Sequence, residues 1–468
     1  MSKEMTQGQQ LAQQLLYTQP LAADSAAGLN EQADAFCQGY KLFLDNGKTE
    51  REVTEYAQQL LVQAGYKPFV PGQAYQPGDK IYLNNRGKSL LAATIGTKPL
   101  EQGAHLNIAH TDSPRLDLKP NPLYQSADLA LLKTHYYGGI RKYQWAALPL
   151  ALHGVVHKAD GTQVKVRIGE EPGDPVFCVT DLLPHLGAEQ NDRKLADGLK
   201  AEELNIVVGS LPFEDKEVKD RVKLLAMQLL NQMYGITERD FTRAELEAVP
   251  AQNARDVGFD RGLIGAYGQD DRIDAYPALV AEMECAAPAF TTVCVLTDKE
   301  EIGSEGVTGL NSMYVFHFLQ QLCAGQGANA ILCFQRSKCL SADVTAAYDP
   351  TFASAFEAQN STYAGKGVAI AKYTGSRGKA GASDASAELV SYFTQLFDAA
   401  GVVWQIGEMG KVDQGGGGTV AKYVASHEID TLDVGVPVLS MHSPFELAAK
   451  ADIYMAYKAF KAFNEAQV

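Results

Sequence analysis

The stretch Thr291-Thr-Val-Cys-Val-Leu-Thr-Asp-Lys-Glu-Glu301 decides how the rest of the chain is read. Residues 291–296 form an apolar, β-branched run of strand length, and the stretch closes on two adjacent carboxylates. Three other apolar segments end in the same manner. Residues 104–109, containing Leu106-Asn-Ile-Ala, stop at His110-Thr-Asp112. Ala330-Ile-Leu-Cys-Phe334 is followed after a short loop by Asp343, and Val434-Gly-Val-Pro-Val-Leu439 leads to His442. Strands at 291–296, 328–334, 402–406 and 431–439, with helical segments between them, predict an α/β domain. In such sheets ligands gather beyond the carboxyl ends of the strands, so these four loops are expected to converge. A fifth acidic residue, Asp274, opens the helical run 275–286.

Taken singly, each residue has an ordinary reading. His110 alone is as well explained as a core histidine, Asp274 as a helix N-cap, and Glu300-Glu301 as an acidic pair at a helix start. Together His110, Asp274, Glu301, Asp343 and His442 make two imidazoles and three carboxylates, with Glu300 to spare. That donor set suits two divalent ions, because zinc takes imidazole nitrogen and carboxylate oxygen and leaves a position for water. In two-metal sites the ions lie ~3.5–4 Å apart. Glu300 is then expected to serve as general base, pointing away from Glu301 as neighbours on an extended segment do. Asp112 is expected to accept the second ring N–H of His110.

Working outward, 468 residues exceed what one hydrophobic core usually spans, so two domains or a large insertion are expected. Helices are predicted at 9–16, 33–45 and 50–64, then short strands from 68 to 100 with a turn at Asn84-Asn-Arg-Gly87. The texture changes from about 118 to 246. Alternation in His153-Gly-Val-Val-His157 and Gln163-Val-Lys-Val-Arg-Ile168 reads as antiparallel strands, and 220–234 as an amphipathic helix. The predicted division is one α/β domain, 1–117 with 251–468, interrupted by an inserted domain, 118–250.

Apolar residues at 46% and charged residues at 21% are an ordinary globular balance, while a net charge of −15 argues against a nucleic-acid partner. No apolar run reaches the ~20 residues that span a bilayer. The N-terminus is polar without a charged-then-apolar leader, so a cytoplasmic location is expected. Seven scattered cysteines fit reduced, buried thiols, and the Cys333/Cys339 spacing suits neither a zinc ribbon nor a redox motif. Gly415 to Gly418 lacks the Lys-Ser/Thr of a phosphate loop and reads either as a close backbone approach or as a flexible turn.

Five motifs occurring in order resemble the aspartyl aminopeptidase and vacuolar aminopeptidase I family. They are His110-Thr-Asp-Ser-Pro-Arg-Leu with Lys119-Pro120, Arg272-Ile-Asp274, Glu300-Glu-Ile-Gly-Ser304, Ser341-Ala-Asp343 and Met441-His-Ser443. The resemblance implies a phosphorylase/hydrolase-like three-layer catalytic domain, an inserted, mainly-β dimerisation domain, and dimers assembled into a tetrahedral dodecamer. It implies two metal ions per subunit, most simply zinc, with cobalt and manganese also suited. It further implies His110 and Asp343 on one ion, Glu301 and His442 on the other, Asp274 bridging, and Glu300 as base of an aminopeptidase. Lys372 matches a family lysine near the substrate.

Two departures stand out. In Tyr136-Tyr-Gly-Gly-Ile-Arg-Lys-Tyr-Gln-Trp145, Lys142 occupies the place of a family histidine that reaches a neighbouring subunit's site. Asp343-Val-Thr-Ala346 replaces a histidine by Ala346. The preferred N-terminal residue is therefore open among acidic, basic and apolar. The same ligand set also serves zinc deacylases and carboxypeptidases, and a non-catalytic assembly protein is the remaining alternative.

Overall fold

The computed structural model describes residues 5–374 and 377–468. Its organising element is a nine-stranded sheet in the order Lys67–Pro68, Lys80–Asn85, Ser89–Thr94, Thr291–Thr297, Ala104–His110, Lys338–Ala342, Asp430–Gly435, Val368–Ala371, Trp404–Ile406. Four neighbours, Thr291–Thr297, Ala104–His110, Lys338–Ala342 and Asp430–Gly435, run parallel. Nearly every residue of these strands is buried, as expected for parallel strands covered on both faces. The register sets Thr297 beside His110 and Ala342 beside Val434, so the strands end level with one another.

Two hydrophobic cores flank this sheet and make the domain three-layered. One joins helices Leu29–Asn46, Gln269–Met283, Ala387–Ala399 and Lys450–Glu465 through Phe43, Leu279, Phe393 and Phe460. The other carries helix Tyr314–Gln326 through Phe316, Phe318 and Leu322. At 25 cal/mol per Å² of apolar surface, a buried phenylalanine or leucine contributes roughly 1.5–3 kcal/mol, so both faces matter to stability. Among the described residues no helix is long and apolar enough to cross a membrane.

A second, seven-stranded sheet has its own core around Trp145, Leu150 and Phe241. Its first strand, Arg115–Ser126, begins five residues after His110, and its last, Ala244–Pro250, returns the chain to the α/β layers. A five-stranded sheet, which includes Leu263–Ala266 and Glu446–Ala449, completes the fold.

One predicted strand is a helix. Ala330–Arg336 is helical because the Asn329 carboxamide oxygen caps it, accepting from Ile331 N at 3.0 Å and Leu332 N at 3.4 Å. The strand that delivers Asp343 is the adjacent Lys338–Ala342. All seven cysteines are free thiols, and only Cys178 is not fully buried.

Candidate metal centre

His110 is the last residue of its strand and is buried. Its ring Nδ1 lies 3.0 Å from the carbonyl oxygen of Asp112. A carbonyl only accepts, so Nδ1 carries a proton and Nε2 is the ring nitrogen turned to the cavity, free to give a lone pair once it is deprotonated. The Asp112 carboxylate, expected to take this N–H, is the longer contact at 3.5 Å. It is occupied elsewhere, accepting from Glu300 N at 3.1 Å, Glu301 N at 3.2 Å and the Tyr137 hydroxyl at 2.8 Å. Burial opposes its charge, but His110 first, then the Tyr137 hydroxyl and the Arg115 guanidinium, hold Asp112 below the ordinary carboxylate range.

Glu300 and Glu301 do not sit on an extended segment. They open a single 3₁₀ turn, Glu300–Ile302, entered through Lys299 at φ 72°. The turn separates the two side chains. A Glu300 oxygen lies within 4.8 Å of donor atoms of His110 and Asp343, while Glu301 does so with His110 and Asp270. Burial pushes Glu300 up to about 7, reinforced by Asp270 and Asp112. Burial likewise raises Glu301 and Asp343 well above the normal range, reinforced by Asp270 and by Glu300 respectively.

The residue that joins the halves is Asp270, which the sequence reading missed. Its Oδ1 is 3.1 Å from His110 Nε2 and its Oδ2 is 3.1 Å from His442 Nε2. Asp274 does not reach this position. Helix Gln269–Met283 has non-helical backbone at Asp270 (ψ 107°) and Asp271, which turns the Asp270 carboxylate into the cavity. Asp274 lies on the regular helix that follows, and its Oδ2 accepts from Val436 N at 3.2 Å. Asp271 Oδ2 accepts from His110 N at 3.2 Å. Asp271 and Asp274 thus fix the backbone behind the centre. Burial lifts Asp274 to about 7 and Asp271 well above its usual range. The available sign was three aspartates within Gln269-Asp-Asp-Arg-Ile-Asp274, without an indication of which one faces inward.

His442 adopts φ 63°, a conformation uncommon outside glycine. Its N–H donates to Glu446 Oε1 at 2.7 Å, and Glu446 Oε2 accepts from Gln269 N at 2.6 Å and Asp270 N at 3.2 Å. Glu446 therefore clamps two segments that carry facing side chains. His442 Nδ1 donates to the Gly139 carbonyl at 2.7 Å, leaving Nε2 toward Asp270 and, at 3.6 Å, Glu301 Oε2. Burial opposes protonation of both histidines, but hydrogen bonds and charge from the surrounding acids win. His110 is raised well above its usual value and His442 to about 11.

These groups fit divalent metal. Glu301 Oε1 is buried without a hydrogen-bond donor, which is costly for carboxylate oxygen unless a cation is supplied. Two imidazole nitrogens with carboxylate oxygens are borderline-to-hard donors of the zinc, cobalt and manganese class. The centre forms the floor of a cleft of about 600 Å³, whose wall includes Tyr373, Met409 and Gly415 to Gly418. Lys372 and Lys142 are not among the described residues lining it, although Tyr373, which follows Lys372, is. Ala346 pairs with Val438 two residues beyond the lining Val344.

The family described as Aminopeptidase I zinc metalloprotease (M18) matches residues 43–464. A "Probable M18 family aminopeptidase 1" of Borrelia garinii is 48% identical over 436 residues, covering 92% of this chain and 95% of that protein. The crystal structure of an M18 aminopeptidase from Thermotoga maritima superposes with a TM-score of 0.91 at 42% identity, covering 96% of this chain and 99% of that one. Aminopeptidase I from Clostridium acetobutylicum gives 0.91 at 44% identity, with coverage of 97% and 100%. A structure titled as the S. cerevisiae mApe1 dodecamer shares the fold at 19% identity, with a TM-score of 0.75 over 92% of this chain and 97% of that one.

Proposed function

The chain belongs to the aminopeptidase I (M18) family of zinc metalloproteases and is an aminopeptidase, and on that premise we propose how its residues divide the work. His110 and Asp343 would hold one divalent ion and Glu301 and His442 a second, with Asp270, in the place first expected for Asp274, as the carboxylate shared between them. The observation that carries this reading is the single Asp270 carboxylate set 3.1 Å from Nε2 of both histidines. Ions held there supply Lewis acidity toward the scissile carbonyl, a more acidic water and an anchor for the free α-amine.

Glu300 receives the proton of the attacking water and hands it to the leaving amine. Its buried position suits that exchange, because a base poised near 7 both accepts and returns a proton at neutral pH. Asp112 holds the Glu300 and Glu301 backbone through its carboxylate, and its carbonyl fixes the His110 tautomer.

Residues 118–250 serve as the dimerisation domain, and dimers assemble into a tetrahedral dodecamer; a related yeast aminopeptidase solved as a dodecamer supports this. The enzyme works in the cytoplasm, in keeping with seven free thiols. Lys372 and Lys142 act on substrate, Lys142 across the subunit boundary. With Lys142 and Ala346 at two altered positions, the N-terminal residue removed need not be acidic.

The deciding experiment replaces Glu300 by Gln in the zinc-loaded enzyme. Metal content should persist while kcat falls roughly a hundredfold to ten-thousandfold. Near-normal turnover in Glu300→Gln would remove the general-base assignment. An N-acetylated substrate should resist the enzyme, and its hydrolysis would favour a deacylase.

A further inference from the structure

The strand Leu129–Tyr137 belongs to the seven-stranded inserted sheet, yet its last residue and the two glycines after it end inside the metal centre. Tyr137 donates its hydroxyl hydrogen to Asp112 Oδ2 at 2.8 Å, the same oxygen that accepts from Glu301 N. Gly138, at φ +72°, passes so close to Glu301 that a Cβ there would lie 3.1 Å from Oε2 and 3.3 Å from the glutamate Cβ. Gly139 gives its carbonyl to His442 Nδ1. Three consecutive residues of the insert therefore touch three separate parts of the centre.

The tyrosine is itself fixed from behind. The Arg115 guanidinium lies 3.9 Å from the centroid of its ring. Arg115 is buried and paired with Asp117 at 2.9 Å and Glu247 at 3.3 Å, both on the inserted sheet, and with Glu50 at 3.1 Å on helix Glu50–Gln63 of the catalytic layers. A buried bidentate-capable cation with several carboxylate partners is a rigid support. Asp112 accepts two backbone N–H groups from a tight turn, and the phenol sets the plane of the carboxylate that receives them. Loss of that third donor frees the carboxylate to rotate and the Glu300–Ile302 turn to follow. Proton transfer is sensitive to displacements of this size, because reacting atoms must stay in a narrow range of separation.

We propose that Tyr137 is a positioning residue for the aminopeptidase reaction, and that through the Tyr137–Gly139 segment the inserted sheet completes the metal centre rather than serving assembly alone. The proposal rests on Glu300 and Glu301 having the roles given above. It makes the orientation of the insert a determinant of turnover, because the hydroxyl and the His442 acceptor move with that sheet.

The test uses the full chain, saturated with zinc, and the variant Tyr137→Phe, which keeps the ring and its stacking on Arg115 while removing the hydroxyl. Expected is a kcat lower by about tenfold or more, with KM within about twofold, as for groups that orient metal-site residues. Zinc content and the thermal midpoint should stay at the parent values. In the Asp112→Asn background the same change should have little further effect, because the hydroxyl acts through that carboxylate. Tyr136→Phe, on the neighbouring exposed tyrosine, is the control. Unchanged kcat in Tyr137→Phe overturns the proposal. So does a loss that multiplies independently with Asp112→Asn, or one that tracks a lowered thermal midpoint. Glu300→Gln measured in parallel separates the two readings, since full activity there removes the base assignment whatever Tyr137→Phe shows.

Discussion

The floor of the cleft and its glycine-bearing wall are built on opposite terms. On the floor, Asp270, Glu301 and Asp343 are buried acids on a backbone clamped by Asp112, Asp271, Asp274 and Glu446. On the wall, residues 408–418 have no strand or helix, and Gly417 and Gly418 have almost nothing around them: a Cβ on Gly417 would meet only Met409 Cε at 3.8 Å, and one on Gly418 nothing within 4 Å. Gly415 differs, since a Cβ there would lie 2.0 Å from the Met409 carbonyl. Preorganised charge belongs where bonds break, and open backbone belongs where substrates of different shape must be accommodated.

The sharpest way to break this contrast is on the floor. Asp270→Asn should lower metal affinity by at least about a hundredfold, the upper end of what substitution of a supporting group costs. Asp274→Asn should retain both metal and most activity, because the amide oxygen can still accept from Val436 N. Metal analysis of the two purified variants decides it, and equal losses would return Asp274 to the bridging position.

A second effect is read in pH. Glu300 at about 7, and Glu301 and Asp343 well above the ordinary carboxylate range, have folded-state values raised over their unfolded ones, chiefly by burial. Their contribution to metal-free stability is greatest below the unfolded value and is lost as pH rises through the folded one. His110 and His442, also raised, lose theirs in the same direction. Metal requires these groups deprotonated, so its stabilisation grows with pH. The gap in thermal midpoint between zinc-loaded and chelator-stripped protein should therefore widen from pH 5.5 to 8, and a constant or narrowing gap would contradict the electrostatic account.

The smallest effect is expected on the wall. Gly418→Ala should change stability by no more than about 0.5 kcal/mol, as surface substitutions do. Its KM should rise a few-fold while kcat holds, if a peptide main chain lies against that glycine. A kcat loss with unchanged KM would place this segment in the chemistry instead.

The legible residues share one physical origin. His110, Glu300, Glu301, Asp343 and His442 follow apolar strands, and parallel strands that end in register bring whatever follows them to one place. The period and length of those runs are written locally. The exceptions arise where local signals tie. Ala330–Arg336 is as apolar as a strand, and its helical state rests on the Asn329 cap. Glu300 and Glu301 diverge through a 3₁₀ turn that no alternation pattern announces.

What the sequence by itself determined was the parallel α/β frame and the donor types waiting at the strand ends, because burial of alternating or continuous apolar residues is a local pattern. What only the tertiary structure decided was which aspartate of Gln269-Asp-Asp-Arg-Ile-Asp274 enters the cavity, and that Tyr137 and Gly139 of the insert seat the glutamates and His442. Those choices depend on backbone torsion at Asp270 and on contacts as distant as Gly139 with His442, and neither is encoded in the spacing of residues along the chain.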